Sequence, residues 1–175
     1  MNRPMPNAAF YIMSSLLRCR DMVRPRNRIL DEVNIESGNH VLDFGCGHGS
    51  YTFIASESVG DAGKVYAQDA VRLALDMIEK KASKLKLDNI STVCSDCSTG
   101  IPDESIDVIL FYDVFHLLGD PGAVLKELHR ILRPDGTMSF SDHHMSGRDI
   151  LSGVTESGMF SPSEKGKYTY IFRKC

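Results

Sequence analysis

Residues 40–52 read HVLDFGCGHGSYT and hold the residue types with the greatest chemical consequence in the chain. Val41 and Leu42 lead into Asp43, and Gly45, Gly47 and Gly49 follow at alternate positions. An apolar run, an acid and three glycines suit a buried strand that breaks into a tight turn before a helix. Glycine supplies backbone angles that other residues avoid and lets the main chain approach a ligand closely. The helix beyond aims unpaired N–H groups at whatever occupies the loop. Spacing limits the choice of ligand. A dinucleotide fingerprint is G-x-G-x-x-G opening a helix. Here the third glycine arrives one residue early and position 50 is Ser50, which disfavours a nicotinamide-dependent oxidoreductase. A phosphate-cradling loop needs Gly-Lys-Ser/Thr after a four-residue gap, and the chain has no such run.

Further acids stand at intervals that match strand ends: Asp69, Asp96 and Asp113. Any one of them suits a helix cap or a turn. With Asp43 they are four, each closing a successive strand, and that pattern describes one rim of a sheet. His116, His143 and His144 follow later strands on the same rim and are the candidates for moving a proton, with a structural or cofactor-adjacent role the favoured alternative for His116 and substrate contact the alternative for His143 and His144. Cys94-x-x-Cys97 has the spacing of half a zinc site, but no second pair stands at finger-like distance, so no metal is expected.

These residues need elements to hold them. The pattern predicts a first strand that follows Gly38 and carries Val41 and Leu42 into Asp43, and further strands at 64–68, 90–94, 106–112 and 137–141. Helices are expected at 50–59, 70–85 and from 120 onward, with a short one at 148–157. In the 70–85 helix Val71, Ala74, Leu75, Ile78, Ala82 and Leu85 form one stripe. IDVILFY at 106–112 is almost continuously apolar, as a strand buried on both faces should be. Asp120-Pro121 is a cap-plus-proline helix start, and Pro134-Asp135-Gly136 reads as a turn. Residues 159–162 and 167–173 read as a closing hairpin around Gly166. Pro25 is expected to open a helix that carries Ile29, Leu30 and Val33, and a helix over 7–22 would carry Phe10, Met13, Leu16 and Leu17. The fold class is therefore α/β. It is a Rossmann-like seven-stranded sheet, mostly parallel with the last strand antiparallel, and helices on both faces. Ligands of such sheets bind outside the carboxyl ends of the strands.

The 175 residues suit one domain with a real core. At 42% hydrophobic and 25% charged the composition is that of an ordinary globular protein. A net charge of −3 gives no general attraction to nucleic acid. Arg18, Arg20, Arg24, Arg26 and Arg28 cluster, which reads as a solvated helix face and turn. Five cysteines without framework spacing suit reduced thiols and a cytoplasmic location. No apolar run is long enough for a membrane span, and residues 1–15 lack a signal peptide's apolar core.

The stretches VLDFGCGHG, VYAQDA, SDCSTGIPDESIDVILFYDVFHLLGDP and ELHRILRPDGTMSFSD resemble the class I S-adenosylmethionine (SAM)-dependent methyltransferases. LHRILRPDG resembles that family's R-x-L-K-P-G-G run, with Asp135 in place of its first glycine. The likeness spans residues 24–175 and is strongest to the small-molecule branch of ubiquinone/menaquinone-biosynthesis type. It implies methyl transfer from SAM to a small-molecule acceptor, with S-adenosylhomocysteine as product. Asp43 with the backbone of Phe44, Gly45, Cys46 and Gly47 would hold the methionine end. Asp69 would take both ribose hydroxyls and Ala70 would pack on adenine. Asp96 would meet the adenine amino group, with the Cys97 N–H on a ring nitrogen. Phe111, Tyr112 and Asp113 would line the sulfonium side. A SAM-binding protein or scaffold without turnover is the alternative.

The likeness makes the chain a single methyltransferase domain, 1–175, with 1–24 as an N-terminal helical extension. That helix is expected to cross the mouth of the site, with Phe10, Tyr11 and Met13 lining the acceptor pocket, or else to dock on the sheet's flank or in a dimer interface. The partners implied are a small-molecule acceptor, no nucleic acid and no membrane span, with a homodimer as one assembly open to the chain.

Overall fold

A computed structural model describes residues 27–175, so the expected helix over 7–22 and the possible lid lie outside the described residues. The elements in chain order are α1 (Asn27–Leu30), β1 (His40–Phe44), α2 (Ser50–Val59), β2 (Lys64–Asp69) and α3 (Arg72–Leu85). Next come β3 (Ile90–Cys94), β4 (Ile106–Tyr112), a 3-10 turn (Phe115–Leu117) and α4 (Pro121–Ile131). The chain closes with β5 (Leu132–Ser141), α5 (Gly147–Thr155), β6 (Phe160–Lys165) and β7 (Tyr170–Lys174).

The seven strands form one sheet in the order β3-β2-β1-β4-β5-β7-β6. β3, β2, β1, β4 and β5 pair in parallel, while β7 runs antiparallel to both β5 and β6. Alternation along the central strands sorts the core into two faces. Val41, Val108 and Leu110 pack with Leu30, Ala55 and Val59, so α1 and α2 cover one face. Leu42, Phe44, Ile109 and Phe111 pack with Val124, Leu125, Leu128, Ile150 and Val154, so α4 and α5 cover the other. β4 is central because its residues face apolar neighbours on both sides, as its unbroken apolar sequence requires.

Four local expectations are corrected. The Pro134-Asp135-Gly136 turn does not interrupt the sheet: β5 starts at Leu132 and absorbs those residues as an irregularity between the Ile106↔Leu132 and Val108↔Thr137 pairs. Gly136 fits there because a Cβ would meet the Leu132 side chain at 2.5 Å. The helix expected from 70 begins at Arg72, since the Asp69 carboxylate holds the Val71 N–H and turns the chain first. Leu85 is not part of that helix's core stripe but is 52% exposed, as the last residue before Lys86 leaves the helix in a left-handed conformation. In the closing hairpin Tyr168 sits in the turn rather than the strand. That turn is clasped by Glu32, whose carboxylate accepts the N–H groups of Lys167, Tyr168 and Thr169 and the Thr169 hydroxyl.

Among the described residues no helix is long and apolar enough to cross a membrane. Nor do three or more His, Cys, Asp or Glu side chains there come together in a way that could hold a metal ion.

Candidate functional site

The strand order sets the carboxyl ends of β2, β1, β4 and β5 side by side, and the loops leaving them build the site. After Phe44 the main chain turns back on β2. The Gly45 N–H donates to the Gln68 main-chain oxygen at 2.8 Å and to its side-chain Oε1 at 3.1 Å. Cys46 N–H reaches the same Gln68 oxygen at 2.9 Å, and Gly47 N–H reaches Asp69 Oδ2 at 2.9 Å. Three successive N–H groups of the loop are thus pinned to the end of β2. Gly45 has φ +72°, and a Cβ there would lie 2.3 Å from a methyl of Val114. Gly47 has φ +53° but nothing within 4 Å of where its Cβ would be, so the loop is open above it.

Two carboxylates flank the loop. Asp43 is buried at 3% exposure and accepts the Thr52 hydroxyl at 2.6 Å. Burial pushes its pKa up to about 7; the Thr52 hydrogen bond opposes this and the nearby Asp69 charge adds to it. Asp69 accepts one N–H on each oxygen, from Val71 at 2.8 Å and from Gly47. Its pKa is raised by burial, against the N–H groups of Val71, Gly47 and Ala70. A carboxylate has about four lone-pair positions, so Asp69 keeps acceptor capacity for a ligand beyond these N–H groups. The result is a main-chain loop open above Gly47, with the part-exposed Asp69 beside it and the buried Asp43 behind it, two acids whose ionised forms a nearby cation would favour.

The other sequence-selected residues fall into two groups. Ala70 and Asp96 are exposed on the rim beside Asp69 and β3. Cys97 is part-buried, and its N–H is taken by the Ser95 hydroxyl at 3.2 Å, so a ligand nitrogen would have to displace that bond. Phe44, Phe111 and Tyr112 are buried. Phe111 packs edge-on against Phe44, Phe115 and Phe140, and the Tyr112 hydroxyl donates to Ser139 at 2.7 Å. What these three offer a ligand is main chain. Burial drives the Cys46 thiol far up, with the Asp43 and Asp69 charges behind it, so it is inert as a nucleophile. Asp113 stands at the end of β4 with φ +56°, a conformation aspartate tolerates better than most residues. It receives the ring of His143 at 2.6 Å, and Asp142 receives the ring of His116 at 2.7 Å.

Sequence reasoning missed Gln68, Thr52 and Asp142. Gln68, 2% exposed, joins the glycine loop to the loop after β3 through the Ser95 carbonyl. Its signal was a large amide at an interior strand position, where a buried polar group must be paired. Asp142 carried the same rim signal as the other four acids, one residue past β5.

A family described as methyltransferase domain matches residues 35–174. The chain belongs to the methyltransferase-domain family. It is 30% identical over 125 residues to a demethylmenaquinone methyltransferase of Geobacillus stearothermophilus, covering 71% of this chain and 53% of that protein. It is 28% identical over 134 residues to one from Lactobacillus johnsonii, covering 75% of this chain and 55% of the other. The chain therefore spans about half the length of the curated relatives it matches. Among solved structures, a SAM-dependent methyltransferase from Aquifex aeolicus superposes with a TM-score of 0.75 at 27% identity, over 85% of this chain and 89% of that one. A second, from Methanococcus maripaludis, has a TM-score of 0.79 over 99% and 96% of the two chains, at 13% identity, and shows the fold alone. The sheet order and the single antiparallel strand of this chain are thus those of a Rossmann-like methyltransferase fold.

Proposed function

We propose that this methyltransferase domain uses SAM and transfers its methyl group to a small-molecule acceptor, in a reducing, cytoplasmic compartment. The observation that carries the reading is the glycine loop pinned to Asp69, open above Gly47 and backed by the buried Asp43. The fit to SAM is one of charge and hydrogen-bonding chemistry. SAM is a zwitterion with an added sulfonium charge, and both acids of the cleft gain from a nearby cation. Asp69 would accept the two ribose hydroxyls with the acceptor capacity its N–H partners leave. Asp43 and the main chain of residues 44–47 would hold the methionine end. Ala70, Asp96 and Cys97 would meet adenine, and main chain at 111–113 would line the sulfonium side. SAM supplies an electrophilic methyl group that an acceptor attacks in line. This chain's residues bind, orient and exclude water, and that positioning is the larger part of the catalysis.

The comparisons support a small acceptor through the relatives named for demethylmenaquinone. Residues 1–24 are proposed as an extension of one domain that runs through 175. Cys46, Cys94, Cys97 and Cys175 are free thiols, which supports the compartment.

A SAM-binding scaffold without turnover would share the cleft. Methyl-labelled SAM incubated with the protein and a small-molecule cell extract separates the two. We expect label in an extract component in proportion to enzyme and time. Tight SAM binding with no label leaving SAM would select the scaffold.

A further inference from the structure

Three imidazoles and two carboxylates meet where β4 and β5 end. The His144 ring lies between those of His116 and His143, with ring centroids 4.3 Å and 4.0 Å away. His116 is bound through Nδ1 to Asp142 and His143 through Nδ1 to Asp113. We propose that the first of these pairs is the proton-accepting pair of the transfer reaction. His116 is the general base, Asp142 is its positioning residue, and the methyl acceptor is accordingly one that arrives with an ionisable O–H or N–H. This deepens the methyl-transfer reading above and rests on it.

The two pairs differ in shielding. The Asp142 side chain is 0% exposed and that of His116 24%, whereas Asp113 and His143 stand at 26% and 54%. A hydrogen bond screened from water orients a ring more firmly than one in competition with it. Asp142 is also the more completely held. Oδ2 accepts the His116 ring at 2.7 Å and the His116 main-chain N–H at 3.2 Å, and Oδ1 accepts the His144 N–H at 3.0 Å. Burial works against its charge, but these three donors outweigh burial and hold its pKa below the usual carboxylate value. A persistent acceptor at Nδ1 places a proton there, so in the neutral ring it is Nε2, at the opposite corner, that carries the lone pair. This is the logic by which a buried aspartate sets a histidine's tautomer in a hydrolase triad. Leu117, next in the chain and 66% exposed, gives the same rim an apolar surface for an acceptor to cover.

The step balances without another reactant. The acceptor's proton passes to Nε2 as its oxygen or nitrogen bonds to the methyl carbon. The carbon–sulfur electron pair stays on sulfur, and the imidazolium later releases its proton to water.

Long-range proton–nitrogen NMR spectra of labelled protein, with and without S-adenosylhomocysteine, test the tautomer directly. In the neutral ring the expected spectrum has the His116 proton on Nδ1 with Nε2 bare, and Asp142→Asn returns it to a mixture. His116 protonated at Nε2 in the parent, or a tautomer indifferent to Asp142→Asn, would overturn the assignment. Label transfer into the extract supplies the second readout. At saturating SAM, His116→Gln should lower the transfer rate by about 10²- to 10⁴-fold, with SAM affinity within twofold of the parent's. Equal rates would also overturn it. A parent that binds SAM but labels nothing would overturn both this role and turnover, whereas a parent that does not bind SAM would overturn the underlying reading itself.

Discussion

Replacing Asp69 with Ala is expected to weaken SAM binding by about two to four orders of magnitude while the sheet stays folded. Gly47 and Val71 each hold one carboxylate oxygen, and both oxygens have further acceptor capacity for a ribose hydroxyl. Two hydroxyls at those positions make two charge-assisted bonds of roughly 1.5–3 kcal/mol each. At about 1.4 kcal/mol per tenfold, their loss gives the stated range. Stability should change little, because the opposing effects nearly offset. The Gly47 and Val71 N–H groups lose a partner, but a part-buried carboxylate whose pKa is raised by desolvation is also removed. Calorimetry on the two proteins, with circular dichroism as the fold control, reads both quantities. Equal affinities would mean that the ribose does not sit at the end of β2.

Gly45→Ala should have the largest effect on stability of any single methyl addition in the loop. Its φ of +72° costs an L-residue about 1–2 kcal/mol. The new Cβ would stand 2.3 Å from one Val114 methyl and 3.1 Å from the other, and relieving such overpacking costs typically about 1–3 kcal/mol. The sum, about 2–5 kcal/mol, corresponds to a fall of roughly 4–20 °C in Tm for a domain of this size. Adding Val114→Ala should return the steric part but not the backbone part. Gly47→Ala is the contrasting case. Its Cβ meets nothing within 4 Å, so the melting temperature should fall only by the backbone strain. The methyl group would instead project into the space proposed for SAM and show itself in affinity. A Gly45→Ala protein that melts with the parent would mean that the loop and the 3-10 turn after β4 are not packed as described.

The central strands were legible because each carries its own evidence. Residues 106–112 are apolar throughout, and 90–94 and 106–112 have the bounds expected of them. The loop after β1 was legible because few structures need D-x-G-x-G-x-G. Partners were not legible. Nothing in the letters says that Gln68 holds the Gly45 N–H, that Thr52 holds Asp43, or that His116 and Asp142 meet across 26 residues of chain. Each such pairing depends on the register of two strands distant in sequence. The Pro134–Gly136 reading failed for a related reason: turn residues announce a local bend, and only the pairing with β4 shows that the strand carries on through it. Phe111 and Tyr112 were placed at the cofactor by resemblance. The structure shows that their side chains fill the core and leave only main chain for that task.

The central claim is that the cleft between β1, β2 and β4 receives the cationic end of SAM. The most direct test is calorimetric titration with SAM between pH 5 and 8. Burial holds Asp43 at about 7, above its ordinary 3.8, so within that window the folded protein binds more protons than the unfolded chain. Its stability therefore falls as pH rises from roughly 4 to 7. A cation beside the carboxylate favours the ionised form and releases that proton on binding. Affinity should then rise by up to about tenfold per pH unit toward pH 7 and level off above it, by one-proton linkage. Asp43→Asn should bind with no such slope. SAM that binds nowhere in the range would contradict the account outright, and affinity independent of pH would contradict the placement of its charge at Asp43.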